Sequence, residues 1–499
     1  MVSRRDIMKA AAFGLAAGML PSALRAAGGG PATALAGKAA EPQRQRPNIV
    51  FVFGDQWRAS ATGYDGDPNV KTPNLDKLAD ESVNFRTAIS VCPICTPNRA
   101  ALLTGRYPTT TGMFLNDIQL PNEELCIAEV LNQSGYDTAW IGKWHLDGHG
   151  RDAYIPPERR QGFDYWKAAE CDHNYPRSHY YSGASTTKKL WDGYDAFAQT
   201  LDARHYIRDH AAGERPFAMF LSFGPPHYPH EIAPQEFKDL YPPAHLRLRS
   251  NVPDARAAAV RIELQGYYAH CTALDQCVGE LLAEVDAAGI RENTVFVFTS
   301  DHGEMMGAHD IRPFAKQVPW DESARVPLLL RYPIAHGRQG RSITEPINTP
   351  DIMPTLLGLA GIPVPGTVEG EDLSAWVRGG RPSDRAALYM SVSPFEPDSD
   401  REYRAIRTSR HTYVRGIDGP WLMYDDQADP LQMTNLVGIA QHAQLQKQLD
   451  EKLWAELARI GDDFRPGEYY RQKFGFEVNK IGEIPYGKGA KFQSPKRVK

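Results

Sequence analysis

The segment Cys95-Thr96-Pro97-Asn98-Arg99-Ala100-Ala101-Leu102-Leu103-Thr104-Gly105-Arg106 places a thiol and a guanidinium one helical turn apart. Pro97 suits the first turn of a helix, Ala100 to Leu103 continues it, and Gly105 ends it. Cys95 then stands at the helix N-terminus, where unpaired N–H groups favour negative charge. Arg99 falls on the same side. The ordinary alternative is a small buried cysteine leading a core helix. Four apolar runs also end in residues with chemical capacity. Asn48 to Phe53 runs into Gly54-Asp55-Gln56, and Asp137 to Ile141 into Gly142-Lys143-Trp144-His145. Phe217 to Phe223 runs into Gly224-Pro225-Pro226-His227, and Thr294 to Thr299 into Ser300-Asp301-His302-Gly303. Singly, each ending has a plain reading: an Asp that caps a helix or turn, a His in a loop. Four together call for a common explanation.

The elements that must position them follow from the pattern. The four runs are short, β-branched and aromatic, and helix-length segments separate them, as expected of parallel strands buried on both faces. Val326 to Leu330 reads as a fifth strand, with Pro327 marking an edge or a strand start. Helices are expected over 122–133, 255–288 and 350–359, the last with Thr349 as N-cap. Ligands bind outside the carboxyl ends of strands in such sheets. Asp55, Gln56, Asp301 and His302 would then face one another, with Lys143, His145 and His227 beside them. Beyond residue 380 the texture changes. Short strands over 387–392, 403–408, 412–415 and 421–424 precede a helix over 441–460. The fold class expected is α/β: a large, mainly parallel sheet sandwiched by helices, with a smaller antiparallel sheet plus helix. The division reads 46–380 for the large domain, 381–484 for the small one and 485–499 for a basic, solvated tail.

Composition narrows the class. The chain has 499 residues, 42% hydrophobic and 23% charged, which is ordinary for a globular protein of two or three domains. A net charge of −5 gives no support for nucleic-acid binding. No apolar run reaches the roughly 18 residues of a membrane span. Six cysteines in so long a chain are not its main source of stability, and bridges among Cys126, Cys171, Cys271 and Cys277 stay open. The start, Ser3-Arg4-Arg5-Asp6-Ile7-Met8-Lys9 followed by an apolar stretch from Ala10 to Leu20, resembles a twin-arginine export signal over 1–36. Cleavage falls near Ala26 or after Ala36. The address expected is the periplasm.

Residues 95–106 stand as Cys-x-Pro-x-Arg with a Leu-Thr-Gly-Arg ending. Residues 135–145 stand as Gly-Tyr-x-Thr-x-x-x-Gly-Lys-Trp-His. In these two motifs the chain resembles the type I sulfatases of the alkaline phosphatase superfamily, from about Pro47 into the C-terminal domain. The resemblance implies that a separate maturase oxidises Cys95 to formylglycine, whose hydrate attacks sulfur and then expels sulfate as the aldehyde re-forms. It implies Asp55, Gln56, Asp301 and His302, with the converted Cys95, as ligands of one divalent cation. Arg99 and Lys143 would hold the aldehyde hydrate and sulfate oxygens. His145 would be the base that collapses the intermediate, and His227 and Lys316 would bind sulfate and assist the departing alcohol. Three positions depart from the common pattern: Asn98 where Ser is usual, Gln56 where a second Asp is usual, and His302 where Asn is usual. The cage then has two carboxylates, an amide and an imidazole. Calcium is the cation expected first, with manganese, magnesium and zinc as alternatives, since imidazole also suits the transition metals.

The loop over 170–177 is polar and aromatic, and His173, Asn174 and Arg177 are expected to form part of a sugar subsite. His309 and Arg312, just ahead of Lys316, are expected to touch an anionic substrate. By analogy the partner is a sulfated glycan or a small sulfate ester, with no nucleic acid and no membrane span. The rival readings are a phosphonate or phosphate ester hydrolase of the same superfamily, and a non-catalytic glycan-binding protein.

Overall fold

The structure is a computed structural model that describes residues 46–396, 398–399, 401–486 and 491–496. The export segment expected over 1–36 lies outside these residues. The main sheet has ten strands. At its centre are β1 (Asn48–Asp55), β2 (Asp137–Lys143), β3 (Phe217–Pro226), β4 (Thr294–Ser300) and β5 (Leu328–Arg331), in the spatial order β5-β4-β1-β3-β2. β4, β1, β3 and β2 are mutually parallel; β5 runs antiparallel to β4. The fifth strand is interior, with Pro327 immediately before its first residue, where a missing N–H costs no ladder bond.

Alternation in β1 explains why its sequence is apolar throughout. Ile49, Phe51 and Phe53 pack into one hydrophobic cluster, and Val50 and Val52 into another on the opposite face. Helix α1 (Cys95–Thr104) lies wholly buried on the first face. The long helix α2 (Ala257–Ala287) covers the second through Leu264, Tyr267, Leu274 and Leu281. Helix α3 (Thr349–Leu359) starts one residue earlier than expected. Its N-cap is Asn348, whose side chain accepts from the Thr349 N–H while Asp351 accepts from the Asn348 N–H. The helix expected over 122–133 begins only at Ile127, where Glu129 accepts from the Cys126 N–H at 2.8 Å.

Four antiparallel strands, β6 (Ala387–Ser391), β7 (Tyr403–Arg407), β8 (His411–Gly416) and β9 (Gly419–Asp425), form a separate meander with helix α4 (Ala443–Arg459) on it. Leu388, Met390, Ile406 and Met423, with Leu449, Leu453 and Leu457 of α4, join the same cluster that holds α1. This apolar continuity fixes the meander to the face that carries the thiol helix. The tail is not simply solvated. Gln119 donates its N–H to the Gln493 carbonyl at 2.8 Å, Ser494 bonds the Gln119 carbonyl, and Lys496 donates its N–H to Phe474. These bonds and the stacking of Phe492 on His149, with ring centres 4.1 Å apart, dock the described part of this segment and are invisible to a reading by charge.

One ion pair under the meander is fully buried: Arg404 Nε lies 2.6 Å from Asp462 Oδ2. Asp462→Ala would strand the guanidinium and is expected to cost about 3–5 kcal/mol in urea unfolding. Burial alone would raise the Asp462 carboxyl, but Arg404 holds it below the usual carboxylate range. A depressed folded pKa stabilises above the unfolded value of about 3.9, and that stability is lost as pH falls through the folded value. The gap between wild type and variant should therefore narrow in acid.

Candidate active site

The strand ends converge as the parallel order requires. Oxygen, sulfur and nitrogen atoms of Asp55, Cys95, Asp301 and His302 lie within 4.8 Å of one another, all buried. Cys95 Sγ sits 3.3 Å from His302 Nε2, 3.7 Å from Asp55 Oδ1 and 3.7 Å from Lys143 Nζ. The thiol is therefore placed by the start of α1, the two carboxylates by the tips of β1 and β4, and Lys143 by the last residue of β2. Gly142 makes the last placement available. Its φ is +97°, and a Cβ there would lie 2.1 Å from the Ser222 carbonyl oxygen of β3.

Arg99 is the hub beneath the thiol. Its Nε donates to Asp301 at 3.0 Å, one terminal nitrogen to Asp55 at 3.0 Å, and the other to the Lys143 carbonyl and Ser222 Oγ. Lys143 Nζ donates to Asp55 at 2.6 Å. Burial would raise the Asp55 carboxyl, but the Lys143 and Arg99 charges hold it well below the usual range. His302 donates from Nδ1 to the Gly303 carbonyl, at 3.0 Å, so its Nε2 lone pair turns toward Cys95 and the carboxylates. Burial and Lys316 keep that imidazole low and neutral against the pull of Asp301. Two carboxylates and a neutral imidazole nitrogen facing one point fit a divalent cation. Gln56, with φ +64°, presents its side-chain oxygen to Lys316 Nζ at 2.9 Å and its amide nitrogen to Glu304 and the Phe314 carbonyl.

A cavity of about 150 Å³ opens above the thiol. Cys95, Lys143, His145, His227 and Lys316 line it, while Arg99, Asp55, Asp301 and His302 are buried and do not line it. Lys316 donates to His227 Nε2 at 2.9 Å, and His227 Nδ1 donates to the Tyr228 carbonyl. Burial and the Lys316 charge press His227 well below its ordinary value, so the proton of this pair resides on the lysine. Of the expected substrate residues, His173 lines the cavity, stacked on His227 with ring centres 4.3 Å apart; burial and Lys143 push it down to about 3. The others do not line it. Asn174 and Arg177 are exposed on the outer turn, His309 stacks on Trp320, and Arg312 pairs with Asp398 at 2.7 Å. In their place stand Asn116, Asp117, Arg151, Tyr228, Phe395, Glu396, Glu483, Ile484 and Tyr486. These come from loops and from the C-terminal segment, where no periodicity marks them.

A helix-borne thiol beside two carboxylates and an imidazole, on the rim of a mainly parallel sheet between helices, makes an α/β fold with a buried candidate metal site. Comparison with known proteins narrows this. The family profile "Sulfatase" matches residues 47–362, and that of the C-terminal region of N-sulphoglucosamine sulphohydrolase matches 307–459. The chain is similar to an ulvan-active sulfatase of Formosa agariphila, 53% identical over 458 residues covering 90% of this chain and 89% of the relative. It is also similar to an endo-4-O-sulfatase of Bacteroides thetaiotaomicron, 32% identical over 84% of this chain and 93% of the relative. A solved yidJ-type sulfatase structure from Bacteroides fragilis superimposes with a TM-score of 0.77 at 31% identity, covering 87% of this chain and 99% of that one. The chain belongs to the sulfatase family and is a sulfuric ester hydrolase. No helix among the described residues is long and apolar enough to cross a membrane.

Proposed function

We propose that this enzyme removes sulfate from a sulfated polysaccharide or its oligosaccharides, with formylglycine made from Cys95 as nucleophile and a divalent cation, calcium first, beside it. The observation that carries the reading is the placement of the Cys95 sulfur within 3.7 Å of His302, Asp55 and Lys143 at the floor of the cavity. That sulfur stands in for the hydrate oxygens of the matured residue. The relatives named for ulvan and for endo-4-O-sulfate activity support a polymeric substrate. The resemblance of residues 1–36 to a twin-arginine leader supports export to the periplasm, with maturation by a formylglycine-generating partner before transport.

Asp55, Asp301, His302 and the Gln56 oxygen would hold the cation. When bound, it polarises sulfate oxygen and eases deprotonation of the hydrate. Lys143 and Lys316, which both line the cavity, stabilise the charge that develops on sulfate. Arg99 acts differently from the sequence expectation. It is fully buried, does not line the cavity, and donates to Asp55, Asp301, Ser222 and the Lys143 carbonyl, so it aligns the carboxylates rather than touching sulfate. The Lys316–His227 pair carries its proton on the lysine and presents it toward the departing alcohol. His145 takes the second hydroxyl proton of the sulfated intermediate.

Free sulfate released from a panel of sulfated oligosaccharides tests the reading, with an aryl phosphonate run beside an aryl sulfate. Release from a glycan at rates well above the phosphonate supports it; preference for the phosphonate overturns it. His145→Ala should lower kcat by about 10²–10⁴-fold with little change in KM. An unchanged kcat with a raised KM would exclude the elimination role.

A further inference from the structure

We propose that Asp117, clamped by Arg151, is the positioning carboxylate that fixes the tautomer of His145 and leaves its Nδ1 as the base in sulfate elimination. This rests on the formylglycine reading above and deepens it.

The geometry is specific. His145 Nε2 lies 3.2 Å from Asp117 Oδ1. Arg151 grips the same carboxylate at both oxygens, Nε to Oδ1 at 3.2 Å and a terminal nitrogen to Oδ2 at 3.1 Å. A carboxylate gripped in this way is an acceptor only. Burial would raise Asp117, but the donors His145 and Arg151 hold it well below the usual carboxylate range. His145 Nε2 must therefore be a protonated nitrogen, and in the neutral ring Nδ1 carries the lone pair. Nδ1 is buried and has no hydrogen-bond partner among the described residues. A buried acceptor without a donor is costly, and a reacting hydroxyl at that nitrogen would relieve the cost. His145 and Cys95 line the same cavity, and Thr96, next to Cys95, bonds the His145 carbonyl at 2.8 Å.

The backbone supports the same arrangement. Both Asp117 and His145 have positive φ, 60° and 59°, which non-glycine residues adopt at a cost that the surroundings must offset. Around His145 the offset is visible: Glu170 accepts from the N–H groups of Leu146, Asp147 and Gly148. Arg151 in turn lies 4.2 Å over the Tyr486 ring, so the C-terminal segment braces the clamp.

In the step assigned, His145 Nδ1 removes the proton from the free hydroxyl of the sulfated hydrate. The O–H electron pair becomes the second C–O bond of the aldehyde. The bond from carbon to the sulfate oxygen breaks, and sulfate leaves with its pair. The proton rests on the imidazolium, opposite Asp117, until water removes it; hydration restores the diol. Attack on sulfur does not need this nitrogen, so its loss should stall the enzyme after sulfur has transferred.

Asp117→Asn removes the charge and keeps the volume. The expected result is kcat lowered by about 10–100-fold with KM unchanged or lower, and one sulfate retained on the peptide containing residue 95 after acid quench of a turning-over sample. Wild-type peptide from the same protocol should carry free aldehyde. A kcat equal to wild type, or a lowered kcat with no sulfated peptide, overturns the assignment. Should Asp117→Asn fail to fold, Arg151→Gln decides: it leaves the carboxylate and imidazole in place, so a milder slowing with sulfated peptide supports the proposal and its absence overturns it. An unmodified cysteine in the active wild-type enzyme would overturn the formylglycine reading itself and this assignment with it. A wild-type aldehyde with no adduct in either variant overturns only the role of Asp117.

Discussion

Cys95→Ala is expected to lose turnover of every sulfate ester by about 10⁵-fold or more while the protein still folds. The reason is positional. The thiol stands at the N-terminus of a helix that is buried along its whole length, yet Cys95 contributes little to the apolar packing, which Ala100 to Leu103 provide. Removing one sulfur should cost no more than about 1–2 kcal/mol, measurable as a small shift in urea midpoint. Cys95→Ser separates the two halves of the mechanism. A serine hydroxyl can be sulfated but has no second hydroxyl whose proton loss expels sulfate, so it should give at most one turnover and retain sulfate. Multiple turnovers by either variant would remove Cys95 as nucleophile, and with it the reason for its place among Asp55, Lys143 and His302.

The floor of the site was legible because it is made by strand tips. Apolar runs ending in Asp55, Lys143 and Asp301 are visible in the chain, and parallel order brings their ends to one rim whatever the loops do. The thiol helix was legible for a similar reason, since Pro97 and Gly105 punctuate it. Walls are another matter. Asp117 and Arg151 sit in loops whose sequences resemble any polar turn, and their role appears only when His145 is seen between them. Glu483, Ile484 and Tyr486 reach the cavity from the far end of the chain, where Ile484 joins the core cluster and Arg151 lies over the Tyr486 ring. The surrounding lysines read as a solvated tail, and the few apolar and aromatic side chains that dock it carry no periodicity. The loop expected to bind sugar yields one cavity residue, His173. Polarity marks exposure as readily as it marks binding, and Asn174 and Arg177 turn outward. Arg99 shows a subtler gap: sequence places it next to the thiol, but only the bonds to Asp55 and Asp301 show that its charge is already consumed.

That consumption makes Arg99→Met informative. The guanidinium and both carboxylates are fully buried, with 0% side-chain exposure on each. Removing the cation would leave Asp55 with Lys143 and strand Asp301 beside a neutral imidazole. Breaking a buried pair on one side costs about 3–5 kcal/mol, which in a chain this large is a fall of roughly 5–10 °C in Tm. The lost charge also changes what a divalent ion does for the fold. In the wild type the cation proposed here shares the carboxylates with Arg99 and Lys143, so calcium should raise Tm and a chelator lower it. In the variant, a bound cation supplies the missing charge, and millimolar calcium should recover part of the loss while a chelator deepens it. Thermal unfolding in both conditions reads this without reference to activity. A variant that melts with the wild type would mean that the Arg99 bonds do not hold the cluster together. One that is destabilised but indifferent to every divalent ion would mean that Asp55, Asp301 and His302 converge for a reason other than holding a metal.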